Sequence, residues 1–278
     1  MTIAVASGKG GTGKTTIAAN MAVSSPEPVK LIDCDVEEPN CHIFINPLIE
    51  NRKTVGIPVP HADPEKCNAC GECGRICQYN AIVALKTQPL VFPELCHGCG
   101  GCALVCPTGA ITEVDRDIGV VEEGTRGDLL FSQGILNVGE AMAPPLIRAV
   151  RRNGQVKSNV IIDAPPGTSC PVVTTISGCD YVVLVTEPTP FGLNDLVLAV
   201  EMVRTMKIPF GVVINRSDIG DDAVKEYCRD QDIEILLELP HDRRVAEAYS
   251  KGELASESID ELKPLFEDLY VRITAKKN

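Results

Sequence analysis

Apolar residues in this chain come in short runs, two of them interrupted by a single charged residue, separated by helix-length segments of mixed polarity. Thr2–Ala6, Val29–Asp33, Asn159–Asp163, Tyr181–Val185, Phe210–Ile214 and Ile233–Leu237 are such runs, rich in Val, Ile and Leu. They read as strands, and the continuous ones as strands buried on both faces, as in a parallel sheet. Helices are expected near 192–206, 221–230, 243–250 and 258–274. Another is expected at about 138–152, its start complicated by Pro144 and Pro145. Strand alternating with helix predicts an α/β fold, a parallel sheet with helices on both faces and ligands at the C-terminal strand ends. The pattern weakens after Asp35. A proline-rich stretch, Ile57–His61, leads into a cysteine-dense block at 61–113, and Asp117–Val121 reads as a strand returning from it. The block is expected to be an inserted module, which divides the chain into 1–60, 61–113 and 114–278.

Composition narrows the function classes. Hydrophobic residues make up 44%, aromatics only 4%, and Trp is absent, so the core is aliphatic. A formal charge of −12 argues against non-specific affinity for nucleic acid or an anionic membrane. No signal-peptide pattern is seen, and the apolar runs are too short to span a bilayer. Thirteen cysteines without a secretory signal point to metal or redox chemistry in a reducing compartment, the cytoplasm by default.

The stretch Gly8-Lys9-Gly10-Gly11-Thr12-Gly13-Lys14-Thr15-Thr16 has the P-loop spacing and lies between a strand and a helix. Its backbone N–H groups would close around ATP phosphates at the helix N-terminus. Lys14 would reach the outer phosphates, and the Thr15 hydroxyl would be a Mg²⁺ ligand. Asp163 ends an apolar strand ahead of Ala164-Pro165-Pro166-Gly167-Thr168, where a carboxylate can hold a Mg²⁺-bound water. Asp33 and Asp35 end another strand; a solvated strand terminus is the alternative to a role in the site.

Lys9, placed directly after the first glycine, gives the loop the form Lys-Gly-Gly-Thr-Gly-Lys-Thr. That form resembles the deviant Walker A motif of the MinD/ParA superfamily, which includes the nitrogenase iron protein and the Mrp-type iron–sulfur carriers. The resemblance runs through residues 2–45 and about 155–255. It implies a nucleotide-dependent homodimer in which Lys9 crosses to the partner's nucleotide, making Lys9, Lys14, Asp35 and Asp163 the catalytic set. It implies that Asp35 orients the attacking water or contacts the metal. Asp163–Thr168 is similar to the Asp-x-Pro-Pro-Gly-Thr motif of the Mrp-type proteins. Asn215-Arg216 resembles the superfamily's adenine-contacting pair, and Leu239-Pro240-His241-Asp242 the loop that packs on the same base. An Asn side chain offers the donor and the acceptor that adenine's edge requires.

Cys67, Cys70, Cys73 and Cys77 are followed by Cys96, Cys99, Cys102 and Cys106 at identical gaps, with Pro107 after the last. This is the bacterial ferredoxin spacing for two [4Fe–4S] clusters, and it gives the inserted module a small α+β ferredoxin-like expectation. The fourth cysteine of each run serves the other cluster in that pattern. The expected ligand sets are therefore Cys67, Cys70, Cys73 with Cys106, and Cys96, Cys99, Cys102 with Cys77. Gln78 departs from the pattern, which has Pro there. Ala81-Ile82 and Ala110-Ile111 follow the two runs at matching offsets, as an internal repeat would. Cysteines 34, 41, 170, 179 and 228 lack cluster spacing and are expected to be buried small hydrophobes, with Cys34 alone beside a site residue.

These parts predict a MinD-type ATPase coupled to electron transfer or redox sensing, with a redox or regulatory protein as partner. An Mrp-type cluster carrier and a MinD-like positioning protein are the alternatives, and amidotransferase-like chemistry ranks last. The apolar stripe in Ser258–Asn278 fits core packing, because its acidic residues are unlike a membrane anchor.

Overall fold

A computed structural model describes residues 1–153 and 158–277; residues 155–157 of the resemblance and Asn278 lie outside them. The chain forms two compact units. One comprises Met1–Arg52, Val121–Ile135 and Ile147–Asn278, the other Lys53–Val120 and Leu136–Leu146.

The first unit begins with β1 (Thr2–Ala6), α1 (Lys14–Val23), β2 (Val29–Asp33) and α2 (Cys41–Ile45). Strand β3 (Leu48–Ala62) leads into the second unit, which holds α3 (Glu72–Ile76), β4 (Ile82–Val83), β5 (Leu90–Val91) and α4 (Gly101–Leu104). Strand β6 (Ile111–Arg126) leads back, followed by β7 (Leu129–Leu136) and α5 (Ala143–Asn153). Then come β8 (Asn159–Asp163), α6 (Cys170–Ile176), β9 (Tyr181–Thr186), α7 (Pro190–Thr205), β10 (Phe210–Asn215) and α8 (Ala223–Asp230). The chain closes with β11 (Ile235–Leu239), α9 (Arg243–Ser250), α10 (Ala255–Ser258) and α11 (Lys263–Thr274).

The main sheet has the order β11-β10-β9-β1-β8-β2-β7-β6-β3. Every pairing from β11 through to β7 is parallel. The apolar runs are explained by burial on both faces. Ile3, Val5, Ile161, Val183 and Val213 pack with Ile17 and Met21 of α1 and with Phe266 and Tyr270 of α11. Their strand neighbours Ala4, Ile162, Leu184 and Val212 point the other way and are equally buried. Helix α1 is held by Ala18, Ala19 and Ala22, good helix formers that let it lie close to the sheet.

Several expected boundaries shift. Asp117–Val121 is the middle of the longer strand β6, and Ile57–His61 belongs to β3, so the prolines there sit in a strand at the sheet's edge. Strand β7 was not expected; it neighbours β6 through the turn at Gly127, which has φ 57. The final strand starts two residues late, at Ile235, where the β10 pairing is irregular between Val212 and Val213. The final helix starts five residues late, at Lys263, after a short separate helix α10 that ends at Ser258, and Pro264 sits in the first turn of α11, where a missing N–H costs nothing. Among the described residues no helix is long and apolar enough to cross a membrane.

In the second unit β4 and β5 pair antiparallel. The backbone repeats the cysteine spacing. Ala69 and Gly98, Gly71 and Gly100, and Asn80 and Gly109 are left-handed at equal offsets in the two runs. Ile82 and Ile111 pack with Cys73 and Cys102 in one small core. Gln78 leaves this turn intact, since its run keeps the same left-handed positions.

Candidate active site and cysteine centres

Register brings the carboxylates together. Asp163 is the register partner of both Val5 on β1 and Asp33 on β2, so the strands that carry the P-loop and both aspartates end at one level. Gly13 caps α1 at φ 94, and a Cβ there would lie 2.5 Å from Asn215 Nδ2. Only glycine admits that conformation and that approach. The Asn215 amide donates to the Thr12 carbonyl at 2.9 Å, tying the end of β10 to the loop.

A cavity of about 470 Å³ opens at this edge. Gly10, Gly11, Gly13, Lys14, Thr15, Thr16, Asp35, Asn215, Arg216 and Pro240 all line it. The expected phosphate, metal and base residues thus share one space of the size a small ligand needs. Gly8, Lys9, Thr12 and Asp163 lie outside the lining. Asp163 is buried just behind it, accepting from the Thr15 hydroxyl at 2.6 Å through Oδ2, while its Oδ1 has no partner. A buried carboxylate oxygen without a donor fits a cation or its bound water, and the ligand atoms of Asp163, Asp33 and Cys41 lie within 4.8 Å of one another.

Asp33 is not a solvated strand end. It is fully buried and accepts from the backbone N–H groups of Asp35, Asn40 and Cys41 at 2.9–3.0 Å, which fixes the turn that presents Asp35. Burial pushes its carboxyl up, and nearby Asp163 adds to this. Burial also raises Asp163, against the Thr15 hydroxyl and Lys14. Asp35 is pushed up to about 7 by burial and then by Asp33, with Lys14 opposing.

Two neighbours went unforeseen in the sequence. Cys41 touches the site as well as Cys34: its thiol donates to Asp163 Oδ2 at 3.5 Å, while the Cys34 backbone N–H donates to the Asp163 carbonyl at 2.9 Å. Glu187, just past β9, pairs with Arg216 at 2.7 Å and with Lys9 at 3.8 Å. A carboxylate following a parallel strand was the available signal for Glu187. Cys34, Cys179 and Cys228 are buried as expected, but Cys170 is exposed at the first turn of α6, where its side chain has no core to enter.

In the second unit the eight cysteines divide four and four. Cys67, Cys70, Cys73 and Cys106 line one cavity; Cys77, Cys96, Cys99 and Cys102 line another. The thiols repeat pairwise. Burial raises Cys73 and Cys102, each of which sits in a short helix after a left-handed glycine. Burial also opposes ionisation of Cys77 and Cys106, yet surrounding donors turn the balance downward. Backbone N–H groups of Tyr79 and Ala81 serve Cys77; the Thr108 hydroxyl and the Thr108 and Ile111 N–H groups serve Cys106. Four thiols around each cavity, with donors at the fourth, fit the chemistry of a thiolate-held iron–sulfur group. Tyr79 and His97 stack at 3.5 Å between ring centroids beside the second cavity.

Residues 3–255 match the CobQ/CobB/MinD/ParA nucleotide binding domain. An uncharacterized protein of Methanocaldococcus jannaschii is 32% identical over 91% of this chain and 90% of its own. An iron-sulfur cluster carrier protein of Aquifex aeolicus is 26% identical over 90% of this chain and 60% of its own. The septum site-determining protein MinD of Pyrococcus horikoshii, solved with Mg-ADP, shares the fold with a TM-score of 0.61 at 18% identity, over 98% of this chain and 96% of that one. With its P-loop between β1 and α1 and the cavity those elements frame, the chain belongs to the CobQ/CobB/MinD/ParA nucleotide-binding family and carries that family's P-loop ATPase domain.

Proposed function

We propose that the chain is an ATP-driven switch that pairs with a second copy in its nucleotide state, with Lys9 reaching the partner's ATP. We further propose that residues 61–113 form a ferredoxin-type domain with two [4Fe–4S] clusters, used for electron transfer or redox sensing with a protein partner in the cytoplasm. The observation that carries this reading is the four-and-four division of the cysteines, in the crossed arrangement that ferredoxin spacing requires.

In this reading Gly10, Gly11 and Gly13 offer backbone donors to the phosphates, with Gly8, Thr12 and Thr16 completing the loop. Lys14 neutralises the outer charge, and Thr15, Asp35 and Asp163 hold Mg²⁺. Asp35 faces the cavity, where it orients the attacking water; Asn215, Arg216 and Pro240 receive the base. The clusters, when bound, supply one-electron chemistry, and the two cysteine sets hold them.

The test is ATP hydrolysis and oligomeric state of anaerobically purified protein, with clusters oxidised and then dithionite-reduced. A rate that follows redox state, and ATP-dependent pairing lost in Lys9→Ala, are the expected results. Hydrolysis indifferent to redox state would refute the coupling. The iron-sulfur carrier among the relatives supports a second reading, delivery of a cluster. Transfer of iron and sulfide to an apo-acceptor would favour it, and clusters retained during acceptor maturation would exclude it.

A further inference from the structure

Glu187 belongs to no recognised motif, yet it joins two residues on which the nucleotide site depends. It is only 8% exposed. Its Oε1 accepts from the Arg216 guanidinium at 2.7 Å, and its Oε2 lies 3.8 Å from Lys9 Nζ. The backbone around it is fixed by close approaches. A Cβ on Gly192 would come within 2.2 Å of the Glu187 carbonyl oxygen, and one on Gly8 within 2.1 Å of the Asp195 carbonyl oxygen. The segment 187–195 is therefore seated directly on the first P-loop glycine. On the other side, the Lys9 carbonyl accepts from the Ser7 hydroxyl at 2.5 Å, so the backbone of Lys9 is held as well.

The two pairs are unequal. A carboxylate this buried needs a cation, and Arg216 supplies one at hydrogen-bond distance. The Lys9 side chain is 33% exposed and its pair is longer. Lys9 can leave without stranding Glu187, because Arg216 stays. One pair anchors the carboxylate, and the other is a detachable tether.

We infer that Glu187 is a positioning residue that tethers Lys9 inside its own chain and so opposes its transfer to a partner's nucleotide. This rests on the reading of Lys9 as a residue that acts across a dimer. Formation of the ATP-bound pair has to break the tether, which sets a threshold for pairing in the nucleotide-free chain.

The experiment is sedimentation of the full chain with a non-hydrolysed ATP analogue, comparing wild type, Lys9→Ala, Glu187→Gln and the double variant. A partly exposed ion pair has modest strength, so Glu187→Gln should tighten the dimer Kd by about two- to fivefold. The gain should require Lys9, a dependence that a merely structural role would not give. The double variant should behave as Lys9→Ala. Glu187→Asp, one methylene shorter, keeps a charge for Arg216 and should move the Kd in the same direction even if Glu187→Gln folds poorly. An unchanged or weaker Kd in Glu187→Gln, or a gain that persists without Lys9, overturns the tether alone. A wild type that fails to pair, or pairs equally as Lys9→Ala, overturns the trans reading and the tether with it.

Discussion

The crossed division of the cysteines can be tested by asking which double substitutions damage one site and which damage two. Cys70 and Cys106 line the same cavity, whereas Cys70 and Cys77 line different ones. Two intact [4Fe–4S] clusters amount to about eight iron atoms per chain. Cys70→Ala with Cys106→Ala removes two thiolates from one set and none from the other, so one intact four-thiolate site remains and about four irons are expected. Cys70→Ala with Cys77→Ala takes one thiolate from each set and leaves no intact site. Substitutions that share a site are non-additive and those at separate sites add, so the two doubles give opposite patterns. The assay is iron and acid-labile sulfide per chain after anaerobic reconstitution, read with the EPR spectrum of the dithionite-reduced protein. One cubane signal in the first double and none in the second is the expected result. The reverse would mean that each run closes its own cluster, and the crossed assignment would be refuted. Cys77→Ala with Cys106→Ala strikes both sets under either assignment and serves as the control.

Gly13→Ala places a side chain in the left-handed region, at a cost of about 1–2 kcal/mol, and drives it against the Asn215 amide. Without nucleotide it should melt below Gly10→Ala, whose added Cβ would have its nearest neighbour at 4.0 Å; equal melting would contradict the packing described. The Tyr270 hydroxyl donates to Glu27 at 2.6 Å and accepts from Asn159 at 2.8 Å. Tyr270→Phe should destabilise the first unit by about 1 kcal/mol, a fall of roughly 2–4 °C in thermal melting. Asp35 has its carboxyl raised from 3.8 to about 7 in the folded chain. Folding then binds a proton, so the charged group destabilises the fold increasingly as pH rises through that window, with no penalty below it and the full one above. In EDTA and without nucleotide, Asp35→Asn should melt higher than wild type above pH 7, and the difference should vanish near pH 4. A constant difference across pH would reject burial as the cause.

Local patterns carried most of the fold. Strands buried on both faces leave short, mostly apolar runs, and the parallel strands β1, β2, β8 and β9 were legible for that reason. Strand β3 was not, because most of Leu48–Gly56 is polar and exposed, which leaves no apolar signal. The P-loop and the cysteine runs were legible because their chemistry is set by spacing along one segment. The repeat in the second unit goes deeper than the letters: Ala69 and Asn80 adopt the left-handed conformation that glycine holds at Gly98 and Gly109. Sequence marked only the glycine half of it, since Asn adopts that conformation by local hydrogen bonding and Ala only when its surroundings impose it.

What sequence could not show was which carboxylate does what, and the reason is register. Asp33 and Asp35 read alike at the end of β2, two residues apart, although Asp33 is the strand's last residue and Asp35 lies beyond it. Register sets Asp33 opposite Asp163 in the core, where burial raises both carboxyls, with Asp163 adding to the rise of Asp33 and Asp35 to that of Asp163. Such a pair survives only if donors surround it. Three backbone N–H groups serve Asp33, while Thr15, Cys41 and Lys14 act on Asp163. Asp33 has thus been used up in holding the turn, which leaves Asp35, of these two, to face the cavity. The donors come from Asn40 and Cys41 on one side and Thr15 on the other, and none of them is near Asp163 in the chain. Glu187 follows the same logic, since its cations lie on two other strand ends. A single acidic letter after a strand says that charge is available at the sheet's edge; only the register of neighbouring strands says whether that charge meets a metal, a backbone turn or a lysine.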